Sequence, residues 1–244
     1  MWFLYVFSMR LAAGLAAALI ALPIAEVSSR FHRIQMLVGL GLLLAGWLAC
    51  PEKNVTASVA ISCGMVASYA GTCLWQAGMQ RPARVVCLLV TMSALAALVF
   101  ARGQSAQGNM CCLLADDALS GGLVGTVLTA MLIGHWYLIA PSMSQAPLVR
   151  MIHGALGLLV ARTTWLVPVV AAWMGTGASE ANGHLLAVWW ILRVGVGLVG
   201  LGVLLVMARV CARMRATQSA TGILYVGVVF ACIGELADLV LSPI

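Results

Sequence analysis

The chain has 244 residues, of which 63% are hydrophobic and 8% charged, with a mean hydropathy of +1.07 and a net charge of +6. A soluble domain carries roughly 25% charged and 45–50% apolar residues, so soluble globular, disordered, fibrous and disulfide-scaffold classes are excluded. The positive charge does not mark a nucleic-acid partner. Most of the arginines sit in short loops on one side of the apolar segments, where they report membrane topology.

Apolar runs of membrane-crossing length predict an all-α integral membrane protein, a single polytopic domain over residues 1–244. About eight transmembrane helices are expected, over 3–25, 35–50, 55–75, 84–101, 119–140, 149–174, 185–208 and 221–242. The first lacks a basic start, carries Arg10 and is followed by no A-x-A site, so it is expected to be retained as a span rather than cleaved. The loops after spans one, three, five and seven hold Arg30, Arg33, Arg81, Arg84, Arg150, Arg209, Arg213 and Arg215. The opposite loops hold only Lys53 and Arg102 as basic residues, with Glu52, Asp116, Asp117 and Glu180. This asymmetry predicts that both termini face the outer, non-cytoplasmic side, as in a bacterial inner membrane. Trp2, Trp47, Trp173, Trp189 and Trp190 then fall near the outer interface, and Trp75, Trp136 and Tyr137 near the inner one, as an aromatic belt. The longest loop, 103–118, leaves no room for a soluble domain. Chemistry must therefore lie within the membrane or come from partner subunits.

Three apparent signals are set aside. Gly195, Gly197 and Gly200 match G-x-G-x-x-G, but inside a membrane span with no preceding strand, so close helix packing is expected instead of dinucleotide binding. The thirteen methionines form no ladder on one face and read as core filler. Among the eight cysteines there is no CxxC. Cys63, Cys73, Cys87 and Cys232 read as small buried hydrophobes, while Cys50, Cys111 and Cys112 lie near outer ends where a disulfide is conceivable.

Two layers of polar residues remain. His135 lies six residues before Pro141, roughly 9 Å from the inner end of span five, and His153 roughly 5 Å into span six. Two imidazoles at similar depth on neighbouring helices read either as interface histidines paired with backbone or water, or as a site for a quinone, a proton relay or a b-type haem, with Arg150 placed to meet a haem propionate. Deeper, Arg162 and Glu235 come out at about 18 and 20 Å from the inner face, and Arg10, Arg193 and Asp238 near 24 Å. Ionisable residues within spans cost about 2.5–3.5 kcal/mol each on insertion scales, so these five are expected to face inward and pair. The layer reads either as an ion-pair clasp or as a site for an anion, a lipid headgroup or a quinone headgroup, and three arginines against two carboxylates lean toward an acidic or polarised ligand.

Val228-Val-Phe-Ala-Cys-Ile-Gly234-Glu235-Leu236 resembles the last helix of the dimethyl-sulfoxide-reductase and polysulfide-reductase membrane anchors, which also have eight spans and outward termini. Gly234 and Glu235 carry the match. The resemblance implies a quinol-handling anchor without its own redox metal that docks an iron–sulfur subunit. The arginine that commonly follows the glutamate is absent, Asp238 lying nearby instead, and Cys50-Pro51-Glu52-Lys53 stands where a His-Leu-Gly-Pro stretch is expected. The sequence thus predicts a membrane subunit of an electron-transfer complex that anchors partner subunits and is not catalytic alone. The other readings are a small-solute or ion transporter using the arginine–carboxylate layer, and a purely structural accessory subunit.

Overall fold

A computed structural model describes residues 1–23, 26–50, 54–102, 109–139, 144–174 and 183–241. Pro51, Glu52, Lys53, Pro141, Met143 and Glu180, as well as the side chain of Trp173, lie outside what it describes. The described residues form helices α1 (Trp2–Ala21), α2 (Ser29–Leu48), α3 (Val55–Gln76), α4 (Gln80–Arg102), α5 (Met110–Ile139) and α6 (Ala146–Met174), and contain no strand. α7 (Gly183–Trp189), a π-helical stretch (Trp190–Gly200) and α8 (Leu201–Arg213) follow one another directly, and α9 (Thr217–Leu241) closes the chain.

Among the described residues, seven helical segments are long and apolar enough to cross a membrane: α1 to α5, Leu186–Arg213 and α9. These make the chain an integral membrane protein. α6, where the sequence predicts a span over 149–174, is 29 residues long but is not one of the seven.

Local chemistry sets the helix ends. The Ser28 hydroxyl accepts from the Phe31 amide and Asn54 Oδ1 from the Ala57 amide, satisfying donors that a helix start leaves free. α3 ends on Gly78, whose φ of +74° allows the Met79 amide to donate back to the Leu74 carbonyl. Arg215 makes the same left-handed stop after α8 at φ +61°, an unfavourable conformation for a residue with a side chain.

The helices form two sets of four. In the first, α1 packs on α2 and α4, and α3 bridges α2 and α4; in the second, α5 packs on α6 and α9, and the Trp190–Arg213 segment bridges α6 and α9. The sets meet along α1 and α5, which are the central helices. Of their apolar windows 72% and 67% is buried, against 33–39% in the other five candidate spans. α1 and α5 run parallel, because Gly121 meets the backbone of Arg10 while Gly125 meets that of Gly14. The outer faces of α3, α4 and α8 carry exposed Val59, Val66, Leu88, Leu89, Met92, Val203, Val206 and Val210, apolar surface suited to lipid.

Three sequence expectations need correction, and a fourth holds in part. α5 begins at Met110, not near 119, because Asn109 caps it through the Cys111 amide and pairing carries Asp116 and Asp117 into the helix. Trp75, Trp189 and Tyr137 turn into the bundle and are buried, so the aromatic belt is reduced to residues such as Trp2 and Trp47. Cys63 and Cys73 face outward, whereas Cys87 is buried; Cys111 and Cys112 are exposed thiols, and Cys50 is half-buried and in no disulfide. Finally, the glycine motif serves packing at two of its three positions: a Cβ on Gly197 would lie 2.5 Å from Gly234 Cα and one on Gly200 would lie 2.9 Å from the Phe230 ring, while Gly195 stands clear of side chains.

The α1–α5 contact is the tightest in the fold. A Cβ on Gly14 would lie 1.7 Å from the Gly121 carbonyl oxygen, and one on Gly125 2.2 Å from the Gly14 carbonyl carbon. Gly14→Ala and Gly125→Ala should therefore each cost at least about 2–3 kcal/mol by overpacking, read as a fall of about 6–10 °C in Tm in detergent. Gly41→Ala and Gly157→Ala, where nothing lies within 4 Å, should leave Tm unchanged or slightly raised.

Candidate functional site

Two glycine contacts position the charged layer. Where α1 meets α5 at Gly121, the Arg10 side chain reaches the acidic turn just before that glycine. Its Nε lies 2.7 Å from Asp117 Oδ1, its Nη2 2.8 Å from Asp116 Oδ2, and its Nη1 donates to Ser120 Oγ at 3.2 Å. Where the π-helical stretch meets α9 at Gly197 and Gly234, Arg193 stands one turn before the first glycine, and Glu235 and Asp238 follow the second. Arg193 Nη1 donates to Glu235 Oε1 at 2.7 Å, and Nε lies 3.5 Å from Asp238 Oδ1.

Arg162 of α6 joins the two groups. It pairs closely with Asp116, donates through Nη2 to Asp238 Oδ2 at 2.8 Å, and places Nε 3.6 Å from Glu235 Oε1. Arg10 Nη1 closes the ring 3.6 Å from Glu235 Oε2, to which the Ser120 hydroxyl also donates. Arg102, at the end of α4, pairs with the second oxygen of Asp117. Glu235 thus faces three guanidinium groups. The layer is most buried at Arg162, Arg193 and Glu235, whose side chains are 1–2% exposed, and least at Asp116, which is 26% exposed.

All five residues expected from depth, Arg10, Arg162, Arg193, Glu235 and Asp238, come together in this network. Sequence reasoning missed Asp116, Asp117 and Arg102, which it assigned to an outer loop, and Ser120. The signal that would have found them is the apolar run Met110–Ala115, which starts the helix before the aspartates. Their inclusion changes the charge balance: four arginines face four carboxylates among the described residues, so the surplus positive charge inferred from sequence disappears. Pairing is not complete at the level of single atoms. Arg162 Nε, Arg193 Nε and Arg193 Nη2 are buried without a hydrogen bond among the described residues. A buried guanidinium donor left unpaired is costly, and it offers an acceptor atom a ready partner.

The two histidines of the inner layer are directed to different neighbours. His135 lies 3.4 Å through Nδ1 from the Tyr225 hydroxyl of α9, and His153 Nε2 accepts from Arg209 Nε of α8 at 2.7 Å. Both are exposed on the bundle surface. Arg150 is half exposed and stands 3.9 Å from Glu26. The two rings thus have different hydrogen-bond partners, and Arg209 occupies the His153 nitrogen that would face a haem iron. The described residues contain no cluster of three or more His, Cys, Asp or Glu able to hold a metal ion.

The fold and the layer together define a class: an integral membrane helical bundle with a charge-balanced, buried arginine–carboxylate network near one end. No protein-family model, curated protein or solved structure matches the chain.

Removing one partner from such a network leaves a charge buried and unpaired, at a cost of about 3–5 kcal/mol. Asp117→Asn, which takes from Arg102 its carboxylate partner and from Arg10 one of three, should cause a loss of that size in thermal or denaturant unfolding of the detergent-solubilised protein. Arg150→Ala, which removes only an exposed long-range pair, should change stability by less than about 1 kcal/mol.

Proposed function

We propose that this chain is the membrane-embedded subunit of an electron-transfer complex, which anchors partner subunits and receives a quinone headgroup at the Arg193 end of the charged layer. The observation that carries the reading is Arg193 Nη2, a buried donor without a hydrogen-bond partner among the described residues, on a guanidinium held by Glu235. A quinone carbonyl is an acceptor without charge, which suits a site whose charges already balance. Bound there, the quinone would supply two-electron redox chemistry. The chain's own part is to hold one carbonyl by the Arg193 guanidinium and to fix that guanidinium through Glu235 and Asp238.

The transporter reading is less well supported. Rocking of one bundle against the other requires an interface that can open, whereas α1 and α5 meet backbone to backbone and are bridged by Arg10. The clasp reading has one observation in its favour, the equal number of arginines and carboxylates. For topology we propose eight spans with α6 as the eighth, both termini outside, and insertion in a bacterial inner membrane. The support is the concentration of arginines in one set of loops.

The test of the site is quinone extraction from the purified chain, with a reduced-minus-oxidised spectrum of the same sample. Stoichiometric quinone, no b-type band, and a fivefold or greater loss of quinone in Arg193→Lys are expected, because lysine keeps the charge but cannot place two donors as the guanidinium does. A chain that carries no quinone and loses only complex assembly in that variant is a clasp. Solute uptake by the chain alone in liposomes, abolished by Glu235→Gln, makes it a transporter. For topology, an impermeant maleimide applied to intact cells should label the exposed Cys111 and Cys112; labelling only after the membrane is permeabilised reverses the orientation.

A further inference from the structure

A second set of buried polar atoms lies in the other bundle, at the opposite end of α1 from Arg10. His32 of α2 is fully buried, and its Nδ1 lies 3.1 Å from the Ser28 carbonyl. A carbonyl only accepts, so Nδ1 carries the hydrogen, and in the neutral ring Nε2 is left with a bare lone pair. That nitrogen is buried without a hydrogen-bond partner among the described residues. The ring is fixed from the side by Trp75 of α3, stacked with centroids 4.1 Å apart and planes at 23°. One turn along the same face of α2, Met36 places Sδ 3.6 Å from the Sγ of Cys87 on α4. Both sulfur-bearing side chains are buried, at 1% and 0% exposure.

The three groups share a donor chemistry. Thioether and thiolate sulfur select soft ions such as Cu(I), and imidazole completes such sets. A ligating histidine characteristically donates its other ring N–H to a backbone carbonyl, which fixes the free nitrogen; His32 does so through Ser28. Two sulfur donors each about 2.3 Å from one metal at a near-tetrahedral angle stand about 3.8 Å apart, close to the separation of Met36 and Cys87. Charge decides the valence. A monovalent ion on one thiolate is neutral, whereas a divalent ion would leave a net positive charge in an apolar interior that already has Arg84 three residues before Cys87.

We propose that His32 Nε2, Met36 Sδ and Cys87 Sγ form a binding site for Cu(I) at this end of the first bundle. On loading, the Cys87 S–H bond breaks, its proton leaves to water, and a sulfur–metal bond forms with no change of oxidation state. The site is independent of the quinone reading, since no residue is shared.

The experiment uses the full chain in detergent, with Cys63, Cys73, Cys111 and Cys112 changed to Ala so that exposed thiols do not contribute. Cu(I) is supplied anaerobically and competed with a chromogenic Cu(I) chelator. One Cu(I) per chain should be retained, with a thiolate-to-metal absorption band in the ultraviolet. Met36→Leu, which conserves volume, and Cys87→Ala should each weaken retention at least tenfold, and the band should vanish in Cys87→Ala. Should Cys87→Ala not fold, Met36→Leu alone decides. No retained copper, or retention unchanged in Met36→Leu, overturns the proposal.

Discussion

The charged layer can exist only because two pairs of helices approach to backbone contact. An arginine side chain has limited reach, and within a membrane it cannot be relayed to its partner by bulk water. Gly121 and Gly125 against α1 bring Arg10 onto Asp116 and Asp117, and Gly197 against Gly234 brings Arg193 onto Glu235 and Asp238. A methyl group at either contact would push the helices apart by more than the pairs tolerate. Glycine, a poor choice in a helix on propensity alone, is here the condition for joining eight charges in one network.

The arrangement of the two four-helix sets follows from the same contact. With α1 and α5 parallel and central, each set turns its remaining helices outward and shows apolar side chains to the surroundings. Arg10 and Arg102 come from the first set, while all four carboxylates come from the second. The network therefore ties the sets together as well as filling the second one. The polar cluster around His32 has no such role, since it is contained within α2, α3 and α4. This separation leaves its buried atoms without a structural account in ion pairing.

Much of the helical architecture was legible in the sequence, because apolar run length is a direct consequence of bilayer thickness. Depth along a helix placed Arg10, Arg162, Arg193, Glu235 and Asp238 at nearly one level, and they do meet. What the sequence hid were features that depend on a partner. Asp116 and Asp117 look like loop residues until Arg10, Arg102 and Arg162 neutralise them, and only then does α5 extend to Met110. Equal depth alone also did not bring His135 and His153 together, because depth carries no information on which way a side chain faces around its helix. Trp75 shows the same limit: its position near a helix end suits an interface, but its rotation about α3 puts it under His32.

The order of the charges along the chain has a consequence for synthesis. Arg10 and Arg102 emerge with no acid among the described residues of the first four helices placed to meet them, and the first bundle stays positively charged inside until α5 brings Asp116 and Asp117. Neutrality is then lost again with Arg162 and Arg193 and regained only when α9 delivers Glu235 and Asp238, the last charged residues of the chain. A nascent chain interrupted between Arg193 and α9 holds two arginines that lack the carboxylates of α9 in a half-built bundle. Completion of the final helix is thus the step at which the protein becomes electrically self-contained, and a truncated product carries its own mark for quality control.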